Sequence, residues 1–151
     1  MDVEIKRFKS RPVIGIRHRI AKSEVSEFIK ETFETVGQFC NSHGMQMTGP
    51  PVAIYYETTE SEFDMAAGAP VKEVTATTDQ IVELELVGGL KATTIHSGGY
   101  EELADAWDEL IGKLKEDGLV TGMPCWEEYL TDPRKEPDSA KWQTMLVEPV
   151  H

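Results

Sequence analysis

The segment TGPPVAIYYE at residues 48–57 has a counterpart in TGMPCWEEYL at residues 121–130, and this pair decides the predicted fold. Each segment opens with a Thr-Gly-X-Pro turn and continues into a short apolar and aromatic run, which is typical of a β-strand. Further along each half, AGAPV at 67–71 matches LVEPV at 146–150. The spacing of these matches predicts that one structural unit occurs twice in the chain.

Each predicted unit also contains a helix between extended segments. Apolar residues recur at intervals of three and four from Ser23 until Gly44, which is a plausible helix end. A second stripe of this kind covers 103–114 and ends at Gly118. Alternating or continuous apolar patterns predict extended segments at 2–20, 52–57, 61–71, 81–100, 121–130 and 141–151.

These elements predict one α+β domain that is made of two strand–helix–strand–strand units. The first unit covers about 1–71, a connector covers about 72–80, and the second unit covers about 81–151. Each unit alone leaves one face of its antiparallel sheet open. Placing the two sheets side by side about a pseudo-two-fold axis creates a central ligand cleft, with the helices on the opposite faces.

Composition limits the classes of function. A net charge of −12 repels phosphate backbones, so direct binding to nucleic acid is not expected. No apolar run is long enough for a membrane span and no signal peptide is evident, so we expect a cytoplasmic protein without membrane contact. Cys40 and Cys125 are interpreted as buried apolar residues. The four histidines lack the spacing of metal ligands, so neither a metal nor a cofactor is predicted.

Two adjacent carboxylates, Glu127 and Glu128, interrupt the strand-like segment MPCWEEYLTDP. Since side chains alternate along a strand, Glu127 shares one face with Tyr129, and Glu128 shares the other with Trp126. We expect Glu128 to be solvated near the basic residues of the following loop. Glu127 is either an exposed strand residue or the carboxylate of a pocket.

The comparison of the two units favours Glu127 as the functional carboxylate. Aligning the two segments pairs Ile54 with Glu127 and Tyr56 with Tyr129, so one unit carries a carboxylate where the other is apolar. A buried carboxylate is costly unless it is paired or neutralised. A protein that keeps one uses it to bind a cation or as a general base with a raised pKa.

Other candidates have a structural explanation of equal or greater weight. Trp107 lies in the helical stripe, which favours a core position over a ligand contact. Tyr100 follows the SGG turn at the start of the helix, where it either reaches a cleft or packs locally. His18 and His96 precede the two helices and are as easily packed or exposed as they are acid–base groups.

Three longer motifs together resemble a known family. They are VEIKRFKSRPVIGIRHR at 3–19, IHSGGYEELADAWDELIGKL at 95–114, and WEEYLTDP at 126–133, which precedes a last strand ending in Pro-Val. In this order they resemble the GyrI-like (gyrase-inhibitor-like) small-molecule-binding domain, over essentially all 151 residues. That family includes the effector-binding domains of AraC-type and MerR-type multidrug regulators.

The resemblance implies a duplicated fold and an aromatic cleft with a glutamate two residues before a signature tyrosine. These roles fall on Glu127 and Tyr129. The implied ligand is an amphipathic, cationic aromatic drug or toxin, which suggests a role in toxin resistance. The predicted ligand-binding residues are Glu127, Tyr129, Tyr56, Trp107, Tyr100 and Ile54.

Two alternative functions stay open. Some members are similar to hydrolases of electrophilic cyclopropane compounds, and in that case Glu127 is the general base and Tyr129 donates to the leaving oxygen. The acidic surface could instead bind a basic protein partner. The chain lacks the helix-turn-helix domain of the regulators, so we expect a free-standing member of the family.

Overall fold

The computed structural model describes all 151 residues and contains eight β-strands and two α-helices, which confirms the predicted α+β class. Neither helix is long and apolar enough to cross a membrane. In chain order the elements are β1 (Glu4–Phe8), β2 (Arg11–Ala21), α1 (Val25–His43), β3 (Val52–Thr58), β4 (Glu62–Pro70), β5 (Val82–Leu86), β6 (Gly89–Ser97), α2 (Leu103–Glu116), β7 (Cys125–Tyr129) and β8 (Gln143–Pro149).

The end of α1 shows how the sequence sets an element boundary. Gly44 has a φ of 64°, in the left-handed region that favours glycine, and it directly follows the last helical residue. The next amide, of Met45, donates to the carbonyl oxygen of Cys40 at 3.0 Å. Gly44 therefore ends the helix, as the sequence predicts.

All eight strands form a single antiparallel sheet in the order β1-β6-β8-β7-β3-β4-β2-β5. The predicted side-by-side arrangement takes the form of one continuous sheet because β3 pairs directly with β7. In this pairing Ala53 lies opposite Glu127, and Ile54 lies opposite Trp126. Glu127 and Ile54 therefore lie at the centre of the sheet.

The connections between strands curl this sheet into a half-barrel. Only Lys9 and Ser10 join β1 to β2, although β1 lies at one end of the sheet and β2 lies next to the other end. A connection of two residues, Val87 and Gly88, joins β5 to β6 in the same way. The two connections meet, since the amide of Gly88 donates to Ser10 Oγ at 2.8 Å.

Both helices lie on the face of the sheet that carries Glu127. The sequence predicts a cleft at Glu127 with the helices on the opposite faces of the sheet. The structure corrects this prediction. α1 packs over β2 and β4 while α2 packs near β6, which leaves the central strands β3 and β7 between the two helices. The other face is closed by curling of the sheet and holds a separate apolar cluster: Val13, Val52, Ile54, Ala66, Leu86, Trp126 and Val147.

Candidate functional site

Glu127 is a buried carboxylate at the middle of the sheet. Only 3% of its surface is exposed. Its neighbours across the ladder are Ala53 on β3 and Leu146 on β8, which are apolar and fully buried. The backbone register of three strands therefore holds the Glu127 carboxylate beneath the helices, away from solvent.

Three uncharged donors bind the two carboxylate oxygens. Oε1 of Glu127 accepts hydrogen bonds from the hydroxyl groups of Tyr129 and Tyr55, the latter at 3.3 Å. Oε2 accepts from the indole Nε1 of Trp107 at 2.7 Å. Glu127 takes part in none of the ion pairs of the protein. The carboxylate of Glu127 is thus hydrogen-bonded by uncharged groups, and no positively charged side chain contacts it.

Burial dominates the protonation equilibrium of this cluster. Loss of solvation raises the pKa of Glu127 above its ordinary value, while the hydrogen bonds from Tyr129, Trp107 and Tyr55 oppose that rise. Burial, together with the charge of Glu127, raises the pKa of Tyr55 and of Tyr129 well above that of a free phenol. Both tyrosines therefore remain protonated donors at physiological pH.

An aromatic shell connects this cluster to the surface. The ring of Tyr129 lies 5.5 Å from Phe33 of α1 and 5.4 Å from Tyr100, both in edge-to-face geometry. The Tyr100 ring in turn lies 4.9 Å from Trp142, which precedes β8. Tyr100 is 36% exposed. A path of rings therefore leads from solvent through Tyr100 and Tyr129 to Glu127.

The structure brings together four of the six residues that the sequence predicts for the site: Glu127, Tyr129, Trp107 and Tyr100. Trp107 belongs to the apolar stripe of α2, yet its indole N–H binds the carboxylate. Trp107 therefore combines a position beside the core with a polar contact to Glu127.

Tyr56 and Ile54 do not share a face with Glu127, which corrects the alignment of the two segments. Ile54 is fully buried in the cluster on the opposite face. The Tyr56 ring stacks against the guanidinium of Arg17, whose Cζ lies 3.7 Å from the ring centroid. The equal-length alignment therefore pairs residues that lie on opposite faces of the sheet, so the faces that it assigns to Ile54 and Tyr56 are wrong.

Tyr55 is the site residue that the sequence comparison misses. It lies on the same face as Ala53, directly before a register shift between Tyr55 and Glu57 in the β3–β4 pairing. A signal in the sequence could have found it. Val52, Ile54 and Tyr56 alternate as an apolar set on one face, so Tyr55 is expected on the opposite face, with Ala53.

Glu128 is buried, contrary to the expectation that it is solvated. Its Oε2 accepts from the guanidinium of Arg11 at 2.8 Å and from the indole Nε1 of Trp126 at 3.1 Å. Arg134, in the loop expected to neighbour it, pairs with Asp132 instead. Glu128 is buried because the curl of the sheet brings the start of β2 to the centre of the opposite face.

Comparison with protein families gives one match that covers the whole chain. The family model described as a GyrI-like small molecule binding domain matches residues 1–151. Among curated proteins, none matches this chain in sequence.

Several solved structures share the fold. The C-terminal domain of EcmrR is 22% identical with a TM-score of 0.86, over 99% of this chain and 97% of that domain. In a complex of EcmrR with DNA the TM-score is 0.85, and this chain matches 57% of the length of the EcmrR chain.

Two more distant structures carry information on ligands or activity of their own. SAV2435, bound to tetraphenylphosphonium, is 12% identical with a TM-score of 0.74, over 100% of this chain and 94% of its own. A hydrolase from Listeria innocua is 13% identical with a TM-score of 0.66, over 99% of this chain and 92% of its own.

Proposed function

We propose that this chain, which belongs to the GyrI-like family of small-molecule-binding domains, binds amphipathic cations that carry aromatic groups, such as drugs or toxins. The observation that carries the proposal is the state of Glu127, a buried carboxylate with three uncharged donors and no cationic partner. A cationic ligand would supply the missing opposite charge in a site of low polarity, where the attraction is strong.

The rings around Glu127 suit the rest of such a ligand. Tyr129, Tyr55, Trp107 and Tyr100 present aromatic surface near the carboxylate, and aromatic faces attract cations and stack on flat ligands. The net charge of −12 also raises the local concentration of cations around the protein. The tetraphenylphosphonium complex of SAV2435 supports the proposal, because that ligand is a cation surrounded by phenyl rings.

Ligand entry requires a movement of side chains, since protein groups occupy both oxygens of Glu127. Tyr100 is the exposed end of the aromatic path, so its displacement would open the way to Tyr129. The hydrogen bond from Tyr55 is long at 3.3 Å and would be lost at little cost.

A substitution of the carboxylate tests the proposal. Glu127→Gln keeps the shape and removes the charge, so we expect the affinity for tetraphenylphosphonium to fall about ten-fold or more. Binding of uncharged triphenylphosphine oxide should change little. Calorimetric titration of both compounds measures the difference.

Glu83→Gln is the matched control, because Glu83 is an exposed residue of β5 and its substitution changes the net charge equally. It should leave both affinities unchanged. Equal weakening of the charged and the uncharged compound by Glu127→Gln would contradict a charge role for Glu127.

A hydrolase function is the second candidate, favoured by the pairing of Glu127 with the phenol of Tyr129. A carboxyl group with a raised pKa is suited to take a proton from water, and a neighbouring phenol is suited to protonate a leaving group. Incubation with an electrophilic cyclopropane compound, followed by mass spectrometry, tests it. More than one equivalent of hydrated product per protein indicates turnover, whereas an unchanged compound excludes it for that substrate.

We also propose that the sheet derives from two units related by a pseudo-two-fold axis. The strand order supports this, since β2-β4-β3 from one side mirrors β6-β8-β7 from the other. Each triplet also contains one helix between its first two strands in sequence. Superposition of β2–β4 with α1 on β6–β8 with α2 measures the symmetry, and a failure of the helices to coincide would contradict it.

A further inference from the structure

Two buried polar atoms next to the Glu127 cluster have no hydrogen-bond partner. They are Oγ1 of Thr144 on β8 and Nε2 of His96 on β6. Thr144 is fully buried. A buried polar group without a partner destabilises the folded protein, so such groups are rare and call for an explanation.

Strand pairing places both residues in one row with Tyr129. Thr144 lies directly opposite Tyr129 in the β7–β8 ladder and directly opposite His96 in the β6–β8 ladder. Side chains of directly opposed residues lie about 4.5–5.5 Å apart at their Cβ atoms. The row His96, Thr144, Tyr129 therefore continues the Glu127 site sideways across the sheet, on the same face.

The surroundings of His96 indicate what the row could bind. Its Nε2 lies 3.4 Å from Oε2 of Glu102, without the alignment of a hydrogen bond. The proximity of this carboxylate favours the form of the imidazole that carries a proton on Nε2. The hydroxyl of Thr144 is a donor as well. Two neighbouring donors suit one oxygen acceptor.

The residues that shield Glu127 from solvent also shield the row His96, Thr144, Tyr129. Tyr100 contacts Tyr129 and Trp142, and the Gly98 amide donates to the carbonyl oxygen of Trp142 at 2.9 Å. Gly98 and Trp142 flank His96 and Thr144 in the chain. A displacement of Tyr100 that exposes Glu127 would therefore uncover the row too.

We propose that Thr144 and His96 form a second, uncharged subsite, which binds a carbonyl oxygen of the cationic ligand held by Glu127. The subsite rests on the proposed binding function. It would select, among aromatic cations, those with an oxygen acceptor at the side of the molecule that faces β6 and β8.

Three phosphonium cations test this selection. Tetraphenylphosphonium has no oxygen, the (4-acetylphenyl)triphenyl compound adds a carbonyl group, and the (4-isopropenylphenyl)triphenyl compound has the same shape without the oxygen. Wild-type protein should bind the acetyl compound about three- to ten-fold more tightly than the isopropenyl compound, as one uncharged hydrogen bond provides. Thr144→Val should abolish this preference and leave the affinity for tetraphenylphosphonium unchanged.

Stability measurements separate a binding role from a structural one. Thr144→Val removes an unpaired buried hydroxyl, so its melting temperature should equal or exceed that of the wild type. Thr94→Val is the matched control, because Thr94 is a buried threonine on the same face whose hydroxyl donates to the carbonyl oxygen of Asp2 at 2.7 Å. The Thr94→Val variant should melt at a lower temperature than the wild type and keep the preference for the acetyl compound. Thr144→Ser retains a hydroxyl group and should therefore show the preference that Thr144→Val loses.

The outcomes distinguish the two proposals. If wild-type protein binds tetraphenylphosphonium but shows no preference for the acetyl compound, or keeps that preference in Thr144→Val, the subsite is wrong and the cation site stands. If wild-type protein binds none of the three cations, the proposed function fails and the subsite with it. His96→Phe gives the same comparison should Thr144→Val not fold.

Discussion

At the scale of single residues, Glu127 shows how a protein keeps a carboxylate where solvation is lost. Three neutral donors compensate part of the lost hydration, and no positive charge of the protein contacts it. A built-in Lys or Arg would stabilise the charge permanently and would compete with a cationic ligand. If the proposed function is right, the cluster around Glu127 trades maximal stability for the ability to bind a cation.

We predict that the affinity for tetraphenylphosphonium rises with pH. Burial raises the pKa of Glu127, and the proposed site requires the ionised form, so binding should strengthen as pH increases through that pKa and then become constant. The ligand itself has no titratable group, and Tyr55 and Tyr129 ionise at much higher pH. Titrations at several pH values above 4.5 measure the dependence.

Glu127→Gln should lose most of this pH dependence, because the glutamine amide does not ionise. An identical pH profile in the wild type and in Glu127→Gln would show that another group controls binding.

A second prediction concerns Glu148, which lies on the same face of the sheet near the turn after α2. Burial raises the pKa of Glu148 to about 7, against the hydrogen bond from the Gly122 amide and the charge of Lys91. The pKa of Glu148 is higher in the folded protein than in the unfolded chain. The contribution of Glu148 to the free energy of unfolding is therefore most favourable below about pH 4.5 and is lost as pH rises through 7.

Glu148→Gln should therefore be more stable than the wild type at pH 8, by about 1–3 kcal/mol, and nearly equal to it at pH 4.5. Urea denaturation at both pH values gives the difference. A constant difference at the two pH values would mean that Glu148 does not titrate in this range.

At the scale of elements, the β2–β4 pair depends on two glycines that face each other. A Cβ on Gly68 would lie 2.2 Å from the carbonyl oxygen of Ile14 and 2.8 Å from Cα of Gly15. These are backbone atoms of a paired strand, which cannot move aside as a flexible side chain can. The close approach of these two strands also sets the surface on which α1 packs.

Gly68→Ala should therefore destabilise the protein by about 3 kcal/mol. Gly37→Ala is a matched control in α1, where nothing lies within 4 Å of the added methyl group, and it should stabilise the protein by about 0.5–1 kcal/mol. Chemical denaturation of both variants measures these opposite effects. Similar stability of the two variants would refute the close approach.

The elements are also the scale at which the sequence is most informative. The ends of both helices follow from apolar spacing and from glycines such as Gly44 and Gly118, whereas the extended segments predicted at 2–20 and 81–100 each form two strands. The contacts that the side chains on each face of the sheet make do not follow from the sequence. Tyr55 rather than Tyr56 meets Glu127, and Arg11 meets Glu128, because register and curl are set by contacts between residues far apart in the chain.

At the scale of the whole molecule, the pair of Arg11 and Glu128 joins the start of β2 to the central strand β7. Arg11 is partly exposed while Glu128 is 3% exposed, so removal of the arginine leaves a buried carboxylate with Trp126 as its remaining donor. We predict that Arg11→Met destabilises the protein by about 2–4 kcal/mol. Thermal and chemical denaturation measure this loss.

Arg19→Met serves as the control, since Arg19 pairs with Glu57 on an exposed surface, and it should cost less than about 1 kcal/mol. In the double variant Arg11→Met with Glu128→Leu, part of the lost stability should return because no charge is left buried. A double variant that is less stable than Arg11→Met alone would show that the unpaired Glu128 does not cause the loss of stability.

The crossed connections at the ends of the sheet have a consequence for the integrity of the chain. β1 lies in the first half of the sequence but completes the sheet beside β6, and β5 lies in the second half but completes it beside β2. Neither half can be removed without exposing an unpaired strand edge in the other. A cut between β4 and β5 would yield two fragments, each of which supplies an edge strand to the other. Each fragment would need its partner to fold, so the protein should unfold as one cooperative unit.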